Sequence, residues 1–349
     1  MKRILFLLIL VLLPLLAIST GCNAVRLSQN AGAGIADTTP VIGDEPEVPI
    51  TETVVSIPIS GEKNDINDSR GTSRATVTSI TVSTPQELID AVAPDTCITI
   101  KAGVYDFSTV TTTESRYAEA GSGTAALMVS CVEGLTLQAE PGAYVELVTP
   151  HMFSEVLKFS YCNGIKLSGI TAGHTVTGKY ECDAGVVWFE DSDNITIEDC
   201  LFYGCGAIGI RLWNCSSAQI SDTTVTDCSL RAVDIWCGIN DNIVFTGCRF
   251  VDNRAYGCVI FGTGYSIAFI DCVISGNKSL EWSCVEFSGE VLFERCIFSD
   301  NANIEGTQLV FAGNEISLRD CEIEMSNFSG YWSEHENYGV VDLGGNILR

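Results

Sequence analysis

One phrase recurs through the second half of this chain and limits what the chain can become. It reads apolar-x-apolar-x-x-(Cys or Thr)-x-apolar-x-x-(Cys, Asn or Ser), with copies beginning at Ile195, Ala218, Ile243, Ile267, Val291 and Ile316. Neighbouring copies are 23, 25, 24, 24 and 25 residues apart. A fixed period of this size marks stacked units, none of which can bury its apolar face alone. Weaker copies stand at Leu135-Thr-Leu and Ile165-Lys-Leu-Ser-Gly-Ile170, each 30 residues ahead of the next. The added length predicts loops carried on individual turns, and the segment from Ala172 to Asp183 is the most irregular of them.

A second apolar run lies between copies. It appears as Val186-Val-Trp-Phe189, Ile210-Arg-Leu-Trp213, Val233-Asp-Ile-Trp236, Val259-Ile-Phe261, Val285-Glu-Phe287, Leu309-Val-Phe311 and Val340-Val-Asp-Leu343. Each repeat therefore holds two or three short strands split by Gly, Asn and Asp turns, with no room for a helix. A coil of parallel strands satisfies this pattern. Cys200, Cys248, Cys272, Cys296 and Cys321 share one repeat position and should stack. Free cysteine behaves as a small, readily buried apolar residue. The column therefore reads as an interior thiol ladder rather than a disulfide framework, although the chain holds 16 cysteines.

The chain opens with Lys2 and Arg3, then an apolar run from Ile4 to Ile18 that is short for a membrane span. This is an export signal. It ends in Ile18-Ser19-Thr20-Gly21-Cys22, which resembles a bacterial lipoprotein lipobox with Ser19 in place of the usual Leu. That resemblance implies removal of residues 1–21, acylation of Cys22 and a protein anchored at the bacterial cell envelope or surface. Residues 22–76 are expected to form a flexible polar linker, and 77–349 one folded domain. At the start of that domain, Thr84-Pro85-Gln86-Glu87 is a capping box with Pro at the first helical position. Leu88, Ile89, Ala91 and Val92 follow, and a short amphipathic helix there would cover the open end of a repeat array.

The cap, the segment Thr99-Ile-Lys-Ala-Gly-Val-Tyr105 and the Asn194-Ile-Thr-Ile-Glu-Asp-Cys200 rung carry a resemblance over roughly Val77 to Leu343. They are similar to the pectate-lyase-like superfamily. The resemblance implies an all-β fold, a single-stranded right-handed parallel β-helix solenoid with a short N-terminal capping helix. It also implies that Asn253, Asn277 and Asn301 form a ladder at a sharp turn, their amides satisfying turn backbone groups. Polygalacturonase-like members carry Asn-Thr-Asp, Asp-Asp, His-Gly and Arg-Ile-Lys motifs, and pectate lyases carry Trp-Ile-Asp-His. None of these occurs in the chain, so no catalytic residue is carried over.

Matching Cys205 with Cys228 sets Arg211 beside Asp234 and Trp213 beside Trp236, with Phe261 next. If Ile210, Leu212, Val233 and Ile235 point inward, alternation turns Arg211, Trp213, Asp234 and Trp236 outward. Rings beside charges suit a saccharide, because ring faces stack on pyranoses while charges bind hydroxyls or uronate carboxylates. The plainer alternative is a surface ion pair worth under about 1 kcal/mol beside loop-covered aromatics. A second candidate is the loop from His174 to Asp183. There His174 would serve as acid or base, and Glu181 and Asp183 would take a cation such as Ca2+. A histidine that merely hydrogen-bonds its loop is the alternative. Glu190, Asp191 and Asp193 form an acidic turn that reads either as a Ca2+ site or as a solvated face. Cys182 and His174 are too sparse for a zinc ligand set.

The formal charge is -25, from 44 acidic and 19 basic residues, which argues against nucleic acid as a partner. The expected protein is lipid-anchored and extracytoplasmic, and binds or displays on a rigid surface, with a glycan as the ligand the outward row would suit. A polysaccharide lyase or glycoside hydrolase with a non-standard site is one alternative. A structural or adhesive surface protein is another. The segment from Gly344 to Arg349 reads as a poor cap, so self-association through the C-terminal rung is a further expectation.

Overall fold

The computed structural model describes residues 76–121, 123–176, 182–204, 207–279, 283–303, 310–313, 315–324 and 340–349. Cys22, the linker, Cys205 and Glu181 lie outside them. The described residues form a right-handed parallel β-helix, and its corners explain the repeat. Asp199, Asp222, Gly247, Asp271, Arg295 and Asp320, each just ahead of the repeated Cys or Thr, have φ between 48° and 64°. Gly adopts this left-handed region freely and Asp and Asn more readily than other side chains, so the corner selects them. A second corner repeats the device at Asp227, Asp252, Gly276 and Asp300. Consecutive corners also interlock. A Cβ at Gly247 would fall 2.7 Å from Asp222 Oδ1, and one at Gly276 would fall 2.6 Å from Asp252 Oδ1. The carboxylate of one coil fills the space that a side chain in the next would need.

Between corners, the coils lay their main strands into three columns, and Arg254–Ala255, Lys278–Ser279 and Ala302–Asn303 form a short additional one. The first column runs through Ala125–Ser130, Glu155–Ser160, Val187–Glu190, Ile208–Trp213, Arg231–Trp236 and the start of Ile260–Ile270 and Ser283–Glu294. The second contains the repeated phrase, from Thr78–Val82 and Thr96–Ile100 through Leu135–Ala139 to Ile316–Arg319 and Val340–Asp342. The third runs from Gly103–Asp106 to Ile347–Leu348. All these pairings are parallel, with register shifts only between Gly264 and Ile267 and between Ser283 and Val285; Ile197, for example, pairs with both Leu167 and Ile220. The short strand Ala118–Ala120 pairs antiparallel with Ala125–Ser130.

The interior is a set of stacked ladders. Phe245, Phe269 and Phe293 stack with centroids 4.6 and 4.8 Å apart. Cys200, Cys248, Cys272, Cys296 and Cys321 are free and buried. Their thiols bind the coil before them: Cys272 Sγ donates to Phe245 O at 3.6 Å, Cys296 Sγ to Phe269 O at 3.2 Å and Cys321 Sγ to Phe293 O at 3.4 Å. The asparagine ladder forms as the resemblance implies. Asn253 N donates to Asn277 Oδ1 at 3.0 Å, and Asn277 N to Asn301 Oδ1 at 3.2 Å. At the N-terminal end, the helix Pro85–Asp90 buries Leu88 and Ile89, with Thr84 Oγ1 accepting from Glu87 N at 3.1 Å. Glu87 reaches past the cap to Ser83 N at 2.7 Å.

Three expectations change. Val340–Asp342 pairs with Ile316–Arg319, so it continues the phrase column instead of the intervening run. The last residues extend the solenoid as well. Asn346 Oδ1 accepts from Cys321 N at 2.9 Å, and Ile347–Leu348 pairs with Glu322–Ile323. The two glycines ahead of Asn346 lengthen this corner by one residue, which hides the copy from a strict period. Cys182 is disulfide-bonded, so the thiol reading does not extend to it, whereas the other described cysteines are free.

Candidate functional site

Ile210, Leu212, Val233 and Ile235 are completely buried, so their neighbours on the same strands face away from the core. The register then fixes which outward side chains share a row. Lys158 pairs with Trp188, Trp188 with Arg211, Arg211 with Asp234, Asp234 with Phe261 and Phe261 with Glu286. Two residues further along, Ser160, Glu190, Trp213 and Trp236 form the adjacent row. Trp188, Trp213, Trp236 and Phe261 thus place one ring on each of four consecutive coils. Trp188 and Trp213 have centroids 6.2 Å apart, and Trp236 and Phe261 5.1 Å apart.

Charges are woven between the rings. Arg211 Nε lies 3.3 Å from Asp234 Oδ2, and its Nη1 lies 3.7 Å from Glu155 Oε1. Arg231 Nη1 takes the other Asp234 oxygen at 3.0 Å and carries its guanidinium 4.2 Å above the Phe261 centroid. Lys158 Nζ sits 3.7 Å from the Trp188 centroid and 2.9 Å from Glu190 Oε2, where Ser160 Oγ also donates at 3.1 Å. Arg211 covers Trp188 as well, at 4.9 Å. Asp234 is only 5% exposed, so the surface-pair reading fails. It points away from the core yet is roofed by two arginines. Trp213 and Trp236 are half-buried.

Glu155 occupies a made-to-measure gap. A Cβ at Gly185 would fall 2.6 Å from Glu155 Oε2 and 2.6 Å from Ile208 O, so only glycine leaves room for this carboxylate. Burial pushes the Glu155 carboxyl above its ordinary value, opposed by the Arg211 guanidinium, the Gly185 N–H and Lys158. Trp188 Nε1 and Arg231 Nε are buried without a hydrogen-bond partner.

The second candidate resolves differently. His174 ends the strand Thr171–His174 and is 4% exposed, with Nε2 2.9 Å from Ser154 O. Burial lowers its pKa, so the neutral ring is favoured. It fixes the loop that leads into Glu155 and is not presented to solvent. Asp183 is exposed, and its backbone N donates to Met152 O at 2.9 Å. Glu181 lies outside the described residues. The acidic turn diverges into separate duties: Glu190 binds Lys158, Asp191 Oδ1 accepts from Asn214 Nδ2 at 2.6 Å, and Asp193 Oδ1 accepts from Ser216 N at 3.1 Å. Among the described residues no three His, Cys, Asp or Glu side chains are grouped to hold a metal ion.

Glu155, Lys158, Trp188 and Arg231 were not among the sequence candidates. Lys158 and Glu155 precede the next coil by a 30-residue step, so period subtraction misses them. Aligning Leu157 and Phe159 with Val187 and Phe189 by alternation would have found them.

The family described as a right handed beta helix region matches residues 184–346. No curated protein matches. Among solved structures, the chain is similar to a pectate lyase from Paenibacillus at 10% identity, covering 70% of this chain and 78% of that one, with a TM-score of 0.46. It is similar to a Bacillus pectate lyase in complex with trigalacturonate at 11% identity, over 78% and 82% of the chains, with a TM-score of 0.46. An endo-xylogalacturonan hydrolase from Aspergillus tubingensis matches at 11% identity, over 73% and 87%, with a TM-score of 0.42.

Proposed function

We propose that this protein binds an extended saccharide along the first-column face, with the ligand lying parallel to the solenoid axis. The observation that carries this reading is the set of four rings, one on each of four consecutive coils and divided between two adjacent outward rows, interleaved with Lys158, Arg211 and Arg231. Parallel strands repeat every ~4.8 Å, so the rings from Trp188 to Phe261 span about 14 Å, the reach of a chain of several sugars. Rings supply stacking surface, and the charged groups supply hydrogen bonds that fix orientation. Trp213→Ala and Trp236→Ala should each weaken binding of oligosaccharides roughly tenfold while the variants stay folded, read by calorimetry against a panel of neutral and uronic polymers. A panel that shows no binding by the wild type removes the reading.

Turnover at the same face is a second reading, favoured by one group. Glu155 is a buried carboxyl with an upward-shifted pKa in contact with Arg211, the environment in which a carboxylic acid can deliver a proton. Release of reducing ends or of unsaturated products from the polymer panel, absent in Glu155→Gln, would establish a hydrolase or lyase; binding without product leaves the saccharide-binding reading.

We also propose that the protein is exported and acylated at Cys22, so that residues 22–76 tether the solenoid to the cell envelope. The motif ending in Gly21-Cys22 supports this. Metabolic labelling with a palmitate analogue should mark the wild type and not Cys22→Ala.

A further inference from the structure

A hollow of about 380 Å³ lies between the turn at Gly121 and Gly123 and the loop Pro150, His151, Met152, Phe153 and Ser154. Its volume suits one ring-sized ligand unit, within the range of small-molecule pockets. The loop that walls it is pinned from three sides. His174 Nε2 holds Ser154 O at 2.9 Å, Asp183 N donates to Met152 O at 2.9 Å, and Glu155 N donates to Thr124 O at 3.0 Å. On this anchored loop Phe153 is nevertheless 66% exposed, and His151 is exposed beside it. A large apolar ring held out into water on a fixed loop next to a cavity has no packing role. Neither Gly121 nor Gly123 has any atom within 4 Å of an added Cβ, so the opposite wall is open.

The hollow lies at the start of the first-column strand Glu155–Ser160, to one side of the rows described above. Ser154, which lines it, is followed directly by Glu155, whose carboxylate meets Arg211 two coils on. We infer that this hollow is an end subsite of the saccharide face, in which Phe153 stacks on a terminal sugar ring and His151 hydrogen-bonds its hydroxyls. The inference rests on the saccharide-binding reading and adds a fifth aromatic on the coil before Trp188, beside the rows and five residues ahead of Lys158. It assigns His174 a positioning role, since His174 holds the carbonyl at the base of the Phe153 loop. A ligand that reaches from Phe261 to the hollow crosses four coil steps, about 19 Å along the axis, and also runs across the strands from the row at Lys158 to Phe153.

Chain-length dependence tests the assignment. Oligogalacturonates, xylo-oligosaccharides and cello-oligosaccharides from disaccharide to heptasaccharide are titrated into wild type, Phe153→Ala, His151→Ala and Trp236→Ala. Phe153 and His151 are exposed, so unchanged unfolding midpoints are expected for both variants. For the bound series, wild-type affinity should rise with length until the hollow is filled. Phe153→Ala should lose roughly tenfold on the long members and nothing on the short ones, whereas Trp236→Ala should lose affinity at every length. Equal affinity of Phe153→Ala and wild type at all lengths overturns the end subsite while leaving the saccharide face intact. No binding by wild type in any series removes the face itself, and the subsite with it.

Discussion

Arg211 Nε lies 3.3 Å from Asp234 Oδ2, one coil step away in the same outward row. Arg231 binds the second oxygen at 3.0 Å, so a single carboxylate of 5% exposure anchors two guanidinium groups. Removing one member of a fully buried pair costs about 3–5 kcal/mol because a charge is left without a partner. The arginine side chains keep 22% and 25% exposure, which lets water relieve part of that cost. Asp234→Ala should therefore lose about 2 kcal/mol, well above the ~0.5 kcal/mol of an exposed pair. Arg211→Ala should lose less, since Asp234 keeps Arg231. Urea unfolding of the two variants checks the order, and an Asp234→Ala midpoint equal to wild type would return the pair to a surface contact.

Glu155 predicts a pH dependence. Its carboxyl is held above the ordinary 4.5, chiefly by burial. A group whose folded pKa exceeds its unfolded one contributes stability that is complete below the unfolded value and disappears as pH rises through the folded value. Glu155→Gln abolishes that dependence. The stability difference, Glu155→Gln minus wild type, should therefore grow as pH is raised from about 4 towards neutrality. Paired thermal melts across that window measure it. A difference that is flat, or that shrinks with rising pH, contradicts the burial argument.

The two kinds of residue in this site were not equally readable. Arg211, Trp213, Asp234 and Trp236 lie on adjacent coils separated by the ordinary 23-residue step, so subtraction alone paired them correctly. What alternation could not reveal was that two arginines close over Asp234. Arg231 contacts it from three residues earlier on the same strand, and strand periodicity says nothing about such a contact. Glu155 was hidden for another reason. Its place depends on the missing side chain of Gly185, an absence that carries no period. The thiol and asparagine ladders were legible because each repeats one residue type at one position over several consecutive coils, Cys248 to Cys321 and Asn253 to Asn301. His174 looked like chemistry because histidine is rare here, with 3 in the chain, and only its burial showed it to be a support.

The support role of His174 is itself testable. With its ring neutral and Nε2 bonded to Ser154 O, His174→Ala removes a buried hydrogen bond and leaves a cavity, for about 2–3 kcal/mol. Hydrogen exchange should then increase at residues 150–155 in particular. Uniform protection of that loop in a destabilised His174→Ala would show that the ring merely fills space.

Asn277 offers the severest test of the ladder. Its Oδ1 accepts from Asn253 N and Nδ2, both at 3.0 Å, and its Nδ2 donates to Phe250 O at 2.9 Å and Asn301 Oδ1 at 2.8 Å. The side chain is completely buried, so replacing it strands Asn253 N and Phe250 O of the preceding coil without access to water. Asn277→Leu should cost at least about 3 kcal/mol, whereas Cys272→Val, which forfeits only weak thiol bonds at 3.6 and 3.3 Å, should cost under about 1.5 kcal/mol. Comparable losses in the two variants would mean that the asparagines are space-filling like the cysteines.

The cysteines make the last prediction. Burial pushes the thiol pKa of Cys200 up to about 11 and that of Cys215 up to about 12, which leaves almost no thiolate at neutral pH. Both sit inside coils whose edges are closed by neighbouring strands, so alkylation requires unfolding. Cys131 differs, being free and exposed at the corner beside Tyr161. Pulse alkylation of the folded protein followed by peptide mass spectrometry should label Cys131 and leave Cys200, Cys215, Cys248, Cys272, Cys296 and Cys321 unmodified until denaturant is added. Labelling of the ladder at the rate of Cys131 would mean that the coils open locally, and the interior thiols would then be reactive groups instead of packing.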